Sequence, residues 1–290
     1  MFGSHLSVAG GLHHALPEAR RLHMDCVQIF TKNQRQWRVK PLTDEAITLW
    51  RGHRKDTGID PVVSHASYLI NLASPETAQR NKSLELFFDE LTRCETLDIA
   101  YLVVHPGSHM QTSEAAGLKR IARCLDRVHK DLPGLSVQTC LEVTAGQGAS
   151  LGYRFEHLHQ IMDQVKEPQR LAICLDTAHM LAAGYDLTSG VGCRKVISEL
   201  DDIVGLDQVK VLHLNDSKVP LGKRVDRHTH IGHGHVSLDA FKVLVNHARF
   251  KAVAKILETP KEVAPNGTDW DTVNLQTLKS LLRRRKTKNI

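Results

Sequence analysis

The chain has 290 residues, of which 41% are hydrophobic and 24% charged, a composition typical of a soluble protein with a sizeable apolar core. The formal net charge is +6, but residues 283–290, RRRKTKNI, carry five positive charges and no negative one, so charge alone does not predict a nucleic-acid-binding protein. No apolar run approaches the roughly 18 residues that cross a bilayer, and the start, MFGSHLSVAGG, has no basic region before an apolar one, so we expect a cytoplasmic protein without membrane contact.

Short apolar runs alternate with longer amphipathic stretches along the whole chain. The predicted strands are 2–6, 26–30, 62–65, 101–105, 137–142, 171–176, 209–214 and 254–258. Apolar residues recur at three- and four-residue steps in 76–97 and again from Leu118 to Val128, which predicts helices that pack on a sheet. The longest irregular segment is expected at 215–236.

This alternation predicts an α/β protein with one (β/α)₈ TIM-barrel domain. Eight units of about 36 residues each match that fold, and a doubly wound open sheet is the alternative. We place the domain at 1–282 and a basic C-terminal tail at 283–290.

Nine side chains that can bind metals lie near the ends of these apolar runs. They are His65, His105, Glu142, Asp176, His179, His213, Asp226, His228 and Glu258. The carboxyl ends of barrel strands meet at one face, so these side chains should converge there. Histidines and carboxylates without thiolates favour zinc over calcium or magnesium, and the six scattered cysteines are expected to be buried and reduced.

Nine ligands are too many for one tetrahedral ion and predict a cluster of three. Three zinc ions and four carboxylates leave about two positive charges for an anionic phosphate and a hydroxide, which indicates phosphoryl chemistry. Asp226 and His228 face the same side of an extended chain, so one ion could hold both. Asp176 and His179 share a face only if the chain turns helical there, and we expect them to serve different ions.

Longer motifs surround these side chains. They are FTKNQRQW (30–37), SHASYLINLAS (64–74), VVHPGSH (103–109), LEVTAGQG (141–148), CLDTAHMLAAGYD (174–186), HLNDSK (213–218), DRHTHIGHG (226–234) and LETP (257–260). In this order, and over nearly the whole chain, they resemble the endonuclease IV family of apurinic/apyrimidinic (AP) endonucleases. The resemblance implies a barrel that incises the phosphodiester bond 5′ to an abasic site in duplex DNA and leaves a 3′-hydroxyl and a 5′-deoxyribose phosphate. It also implies repair of blocked 3′ ends.

The resemblance assigns the nine ligands to three zinc ions. The ligands of the first ion would be His65, His105 and Glu142. Those of the second would be Glu142, as a bridge, with Asp176, His213 and Glu258. Those of the third would be His179, Asp226 and His228. The residues implied for the hydrolysis itself are Glu142, Glu258, His65 and His105.

The resemblance also implies DNA contacts on loops at the barrel mouth. They are Asn33, Gln34, Arg35 and Gln36 after the second strand, Tyr68 and Leu69 after the third, and Gly146 and Gln147 near the sugar-phosphate. Tyr68 and Leu69 would penetrate the base stack as wedges. The alternative is that Tyr68, Leu69 and Leu72 begin a helix that packs on the core.

Three positions depart from the family pattern. Val143 stands where asparagine is usual, Ala178 where cysteine is common, and His233 where an acidic residue is usual. None of them removes a ligand, so we expect them to change the tuning of the site rather than the presence of metal, with a polar partner lost at Val143.

Two other function classes stay open. A sugar isomerase or epimerase has the same kind of barrel with fewer metals, and a non-catalytic zinc protein could bind damaged DNA without cleaving it. Among the remaining histidines, His5, His109, His230 and His233 are open as ligands. We expect the protein to act as a monomer on double-stranded DNA that carries abasic or 3′-blocked sites.

Overall fold

The computed structural model describes residues 1–38, 40–265 and 267–283. Its strands are β1 (Phe2–His5), β2 (Cys26–Ile29), β3 (Val62–His65), β4 (Tyr101–Val104), β5 (Gln138–Glu142), β6 (Leu171–Asp176), β7 (Val209–His213), β8 (Asp216–Ser217), β9 (His228–Thr229) and β10 (Ala254–Leu257). Within the described residues the α-helices are α1 (Ala15–Arg21), α2 (Asp44–Thr57), α3 (Thr77–Thr96), α4 (Glu114–Asp131), α5 (Phe155–Gln164), α6 (Thr177–Ala183), α7 (Gly190–Ile203), α8 (Leu238–Asn246) and α9 (Trp270–Ser280).

Eight of the strands form a closed parallel barrel in the order β1-β10-β7-β6-β5-β4-β3-β2. The last pair, β2 with β1, is parallel like the others and closes the ring. The predicted TIM barrel is therefore confirmed, and the alternative of an open doubly wound sheet is wrong. The predicted helices within 76–97 and around Leu118–Val128 are present as α3 and α4.

Alternation along each strand separates the barrel interior from the layer under the helices. In β6, Ala172 and Cys174 belong to the small interior cluster, whereas Ile173 and Leu175 belong to the large core between the strands and the helices. Because side chains alternate, Asp176 at the end of β6 points inward as well. The six cysteines are buried and free, as predicted.

The segment 215–236 is more ordered than predicted. Strands β8 and β9 form a short antiparallel ribbon in which Asp216 pairs with Thr229 and Ser217 with His228. The Asp216 carboxylate then accepts hydrogen bonds from the N–H groups of Gly232, Gly234 and Val236. Strands of two residues have no readable periodicity, which is why the sequence did not predict the ribbon.

At the C-terminal end, Arg283 is the last described residue, so residues 284–290 of the predicted basic tail lie outside the described part of the chain. None of the described helices has the length and apolar character that a membrane span requires.

Candidate metal centre

The nine predicted ligands are brought together at the carboxyl end of the barrel. Four of them are the last residues of strands, and two follow a strand directly. The first four are His65, Glu142, Asp176 and His213, and the other two are His105 and Glu258. The remaining three reach the same place from α6 and from the segment that carries β9. They are His179, Asp226 and His228.

Glu142 lies at the middle of the cluster and is fully buried. Its Oε2 atom is 3.1 Å from His65 Nε2 and 3.1 Å from His105 Nε2. Its other oxygen, Oε1, is 3.0 Å from His213 Nδ1. The two oxygens therefore face different histidines, which is the arrangement that a bridging carboxylate requires.

His213 joins the first set of ligands to a second. Its Nδ1 atom is 3.1 Å from Glu258 Oε2 and 3.8 Å from Asp176 Oδ2. Glu142, Asp176, His213 and Glu258 thus bring their donor atoms within 4.8 Å of one another, as do His65, His105 and Glu142.

A third set forms around Asp226. Its Oδ2 is 3.2 Å from His179 Nε2, and its Oδ1 is 3.2 Å from His228 Nε2. His228 Nε2 is also 3.6 Å from Asp176 Oδ2. Asp226 and His228 therefore lie side by side, and their assignment to one ion stays a prediction.

The chain does turn helical after Asp176, which is the condition under which Asp176 and His179 share a face. Helix α6 begins at Thr177, and Asp176 Oδ1 accepts the His179 N–H at 2.8 Å as its N-cap. Asp176 Oδ2 points instead towards His213 and His228. Asp176 therefore lies between the second and third sets, and its assignment to a different ion from His179 stays a prediction.

The donor spacing is compatible with ligands around a small cation such as zinc. Bonds of about 2.0–2.1 Å to nitrogen and oxygen place neighbouring tetrahedral ligand atoms about 3.3–3.4 Å apart. The closest pairs in the three sets lie at 3.0–3.2 Å. In addition, His228 Nε2 is buried and has no hydrogen-bond partner among the described residues. The residues present therefore suit a cluster of cations.

One ring nitrogen of each of three histidines is held by an acceptor, and that nitrogen of His179 also lies 3.3 Å from Glu142 Oε1. His65 Nδ1 donates to the Ala66 carbonyl at 2.7 Å, and His179 Nδ1 donates to the Val143 carbonyl at 2.9 Å. His213 Nε2 pairs with Gln28 Oε1 at 2.8 Å. Each contact favours a proton on the nitrogen that makes it, so the opposite nitrogen is the one that can bind a metal once its own proton is displaced.

This arrangement changes the interpretation of Val143. Its side chain is fully buried in the apolar core, and its main-chain carbonyl, which any residue supplies, supports His179. This contact of His179 does not depend on the side chain at position 143, and the expected loss of a polar partner at Val143 stays a prediction.

Sequence reasoning missed two polar residues that hold the ligands. Asn215 donates to Asp176 Oδ2 at 2.6 Å and accepts the Glu258 N–H at 2.7 Å. Gln28 donates to Glu258 Oε1 at 2.6 Å. A polar residue inside the apolar run CVQIF was the available signal for Gln28.

Burial and mutual attraction shift the protonation of the cluster in opposite directions. Burial would raise the pKa of Glu142, but the neighbouring His105 and His213 hold it well below its ordinary value. Burial would lower the pKa of His179, but Asp176, Asp226 and Glu142 raise it well above its usual range. A metal ion that enters the cluster must therefore displace protons from histidine.

The predicted DNA-contact residues line the barrel mouth. Asn33, Gln34, Arg35 and Tyr68 border a cleft of about 780 Å³ that also includes Glu258. Gln36 follows them in the chain and is exposed. The loop after β2 therefore borders the same cleft as Glu258 of the ligand cluster.

Tyr68 is 62% exposed, and its ring centroid lies 5.4 Å from that of His65 and 5.9 Å from that of His105. Residues 68 and 69 form a turn, and α3 begins only at Thr77, so the alternative of a helix at Tyr68 is wrong. Leu72 is nevertheless buried in the core, and Leu69 packs against it.

Gln147 borders another side of the cluster, and Gly146 precedes it in the chain. Gln147 lines a smaller cavity of about 260 Å³ with His105, His179 and Asp226, and its side-chain oxygen accepts the Asp226 N–H at 3.0 Å. Gly146 has a φ of 72°, and a Cβ atom there would meet the ring of Tyr153 at 2.9 Å, so glycine is required.

Of the open histidines, only His5 reaches the cluster, with Nδ1 3.7 Å from Glu258 Oε1. His109 donates to the Thr112 carbonyl. His230 stacks on Trp270 at 3.8 Å, and His233 is exposed against the same ring. Ala178 is buried in α6.

Comparisons with known proteins show which families this chain resembles in sequence and fold. The sequence matches the family described as xylose isomerase-like TIM barrel over residues 16–281. A protein named probable endonuclease 4 from Chloroflexus aurantiacus is 47% identical over 284 residues, which cover 97% of this chain and 98% of that protein. The crystal structure of endonuclease IV from Thermus thermophilus matches with a TM-score of 0.83 at 35% identity and covers 97% of this chain and 98% of that chain. A D-tagatose 3-epimerase-like protein matches with a TM-score of 0.72 over 97% of this chain and 96% of that chain, but at 19% identity it shows only a shared fold.

Proposed function

The chain belongs to the endonuclease IV family, and on that premise we propose that it is a zinc-dependent DNA repair endonuclease. It hydrolyses the phosphodiester bond 5′ to abasic sites in duplex DNA, leaves a 3′-hydroxyl and a 5′-deoxyribose phosphate, and also repairs blocked 3′ ends. It acts as a monomer in the cytoplasm.

The observation that carries this proposal is the position of Glu142. Its two oxygens face separate sets of histidines, 3.1 Å from His65 and 3.0 Å from His213. A sugar isomerase needs one or two metals, whereas this cluster supplies nine donors in three sets that meet at Glu142 and Asp176. The geometry therefore favours phosphoryl chemistry on three ions.

Three zinc ions would be held by the sets assigned above, with Glu142 shared between the first and second. Bound zinc would supply Lewis-acid chemistry that neutralises phosphate charge and lowers the pKa of water. Glu142, Glu258, His65 and His105 surround the position where the scissile phosphate would lie, and they hold the reacting groups in line.

The mouth residues select and orient the substrate. Tyr68 and Leu69 would enter the base stack, while Asn33, Gln34, Arg35 and Gln36 would contact the strands beside the cleft. Gly146 and Gln147 would face the abasic sugar, because Gln147 lines the cavity beside His105 and Asp226.

The test is incision of a duplex that carries one abasic-site analogue, with protein as purified and without added magnesium. We expect cleavage directly 5′ to the lesion, about three zinc ions per chain, and no cleavage by Glu142→Ala. Glu258→Gln should lose most of the rate while its circular dichroism spectrum stays unchanged.

Three outcomes would contradict the proposal. A near-normal rate in folded Glu258→Gln would refute its role in hydrolysis. Binding without cleavage after zinc loading would identify a damage-binding protein instead. Neither binding nor cleavage, with about one metal per chain, would favour a sugar epimerase.

A further inference from the structure

Gln28 is a fully buried polar residue inside the barrel, below the metal cluster. It lies on β2 between Val27 and Ile29, which belong to the core outside the barrel, so its side chain points inward. Neither the ligand set nor the mouth residues assigned above include it.

All the hydrogen-bonding groups of the Gln28 amide are used. Its Nε2 lies 2.6 Å from Glu258 Oε1 and 2.9 Å from His5 Nδ1. Its Oε1 lies 2.8 Å from His213 Nε2. Two donors and one acceptor therefore hold three side chains from three other strand ends.

The orientation of this amide follows from Glu258. An ionised carboxylate can only accept, so the NH₂ group must face Glu258 and the amide oxygen must face His213. The amide oxygen in turn requires a proton on His213 Nε2. The other ring nitrogen, Nδ1, is the one that faces the carboxylates of Glu142 and Glu258 at 3.0 and 3.1 Å.

We propose that Gln28 is a positioning residue that keeps the His213 ring turned so that Nδ1 faces the metal site, and that holds Glu258 beside it. This inference rests on the zinc centre of the proposed function. Without the Gln28 amide, the His213 ring can rotate or donate from the wrong nitrogen. Two of the four ligands of the second ion, His213 and Glu258, then lose their outer support.

Two variants separate the two contacts. Gln28→Met has a similar shape and loses both the donor and the acceptor. Gln28→Glu keeps an acceptor for His213 but places a second carboxylate against Glu258. The matched control is Gln138→Met, because Gln138 also lies on a barrel strand, but at its opposite end, where its amide donates to the Gln169 carbonyl at 2.9 Å.

The measurements are zinc affinity by competition with a chromogenic chelator, incision kinetics, and the ring N–H signal of His213 in proton NMR. We expect Gln28→Met to bind zinc about 10- to 100-fold more weakly and to lose a similar factor in kcat, because removal of such outer partners commonly has that effect. KM should stay unchanged, since the mouth loops are untouched, and the His213 Nε2–H signal should disappear. Gln28→Glu should keep this signal and still lose kcat.

Wild-type zinc affinity, kcat and ring signal in folded Gln28→Met would overturn the inference. If that variant does not fold, an unchanged kcat in Gln28→Glu would do the same. The ring signal is also recorded without metal. If the wild-type protein binds no zinc, the proposed function is refuted. The metal-free ring signal still tests the contact between Gln28 and His213.

Discussion

A histidine can bind a metal only if the correct ring nitrogen is free, and here the choice is made by acceptors outside the cluster. Main-chain carbonyls hold His65 and His179, while the Gln28 side chain holds His213. Support from a carbonyl does not depend on residue type, whereas support from an amide does. Position 143 can therefore vary without loss of His179, but position 28 should not.

Val143→Asn restores the residue that is usual in the family. Because the Val143 side chain is fully buried among apolar neighbours, the new amide has no obvious partner there, and we expect the free energy of unfolding to fall by about 1–3 kcal/mol. Zinc content and the incision rate should stay within about threefold of the wild type, since His179 keeps its carbonyl. Urea denaturation and incision kinetics measure both effects. A higher kcat without loss of stability would mean that the side chain, and not the carbonyl, tunes the site.

At the scale of elements, helix α3 joins the loop after β2 to the loop after β3. The Glu90 carboxylate accepts the Ser67 N–H at 3.1 Å and the Thr31 hydroxyl at 3.1 Å, and it lies 3.3 Å from Lys32 Nζ. Ser67 Oγ then donates to the Gln34 carbonyl at 2.6 Å. The loops after β2 and β3 are therefore held by one buried residue.

Glu90→Gln removes the carboxylate that lies 3.3 Å from the buried Lys32 ammonium. We expect a loss of about 3 kcal/mol in the free energy of unfolding, as is common when one partner of a buried ion pair is removed. The two loops should also loosen, so KM for an abasic duplex should rise more than kcat falls, with zinc content unchanged. Denaturation and steady-state kinetics test this, with Glu85→Gln on the exposed side of the same helix as the control. An unchanged KM in a destabilised protein would show that Glu90 is structural only.

The wedge prediction belongs to the loop after β3. Tyr68→Ala should weaken incision through KM by about 5- to 150-fold, the range that corresponds to about 1–3 kcal/mol of stacking with a base, and zinc should remain bound. The double substitution with Leu69→Ala should be weaker still, but Leu69 also packs against the core, so the single variant is the cleaner measurement. Tyr101→Ala, at the other end of the barrel, is the matched control. Unchanged kinetics in Tyr68→Ala would refute the wedge role.

The strands could be predicted to within two residues because buried parallel strands are short, continuous apolar runs. The ligands at their ends followed from the barrel, since its geometry brings strand ends together. The ribbon β8–β9 and the contact between Gln28 and His213 could not be predicted, because two-residue strands have no period and pairing between residues that are far apart in sequence leaves no local pattern.

At the scale of the whole molecule, the metal centre rests on an apolar floor inside the barrel. Cys140, Cys174 and Val211 are fully buried directly below the ligand-bearing ends of their strands. The ligands are therefore positioned by the same closed ring that forms the core, and the stability of the fold and the geometry of the site are coupled.

Acid should weaken this fold partly through a histidine that lies outside the candidate metal centre. His129, on α4, is 4% exposed, and its Nδ1 has no hydrogen-bond partner among the described residues. Burial, and next the charge of Arg170, lower the pKa of His129 from 6.5 to about 4, although Glu167 and Asp126 act in the opposite direction. The folded protein thus binds this proton less tightly than the unfolded chain does.

The sign of the pH dependence follows from that difference. Neutral His129 makes its full contribution to the free energy of unfolding above pH 6.5. This contribution is lost as the pH falls from 6.5 to about 4, and the total loss is at most about 3 kcal/mol. The glutamine side chain in His129→Gln does not titrate between pH 6.5 and 4. The free energy of unfolding of this variant should therefore fall less steeply over that range than that of the wild type. Urea denaturation across this range measures the slopes, with exposed His159→Gln as the control. Protonation of Glu142, whose pKa is depressed in the fold, also weakens both proteins in acid, but this effect is common to both and cancels in the difference. Parallel curves for the wild type and His129→Gln would therefore exclude His129 as a source of acid sensitivity.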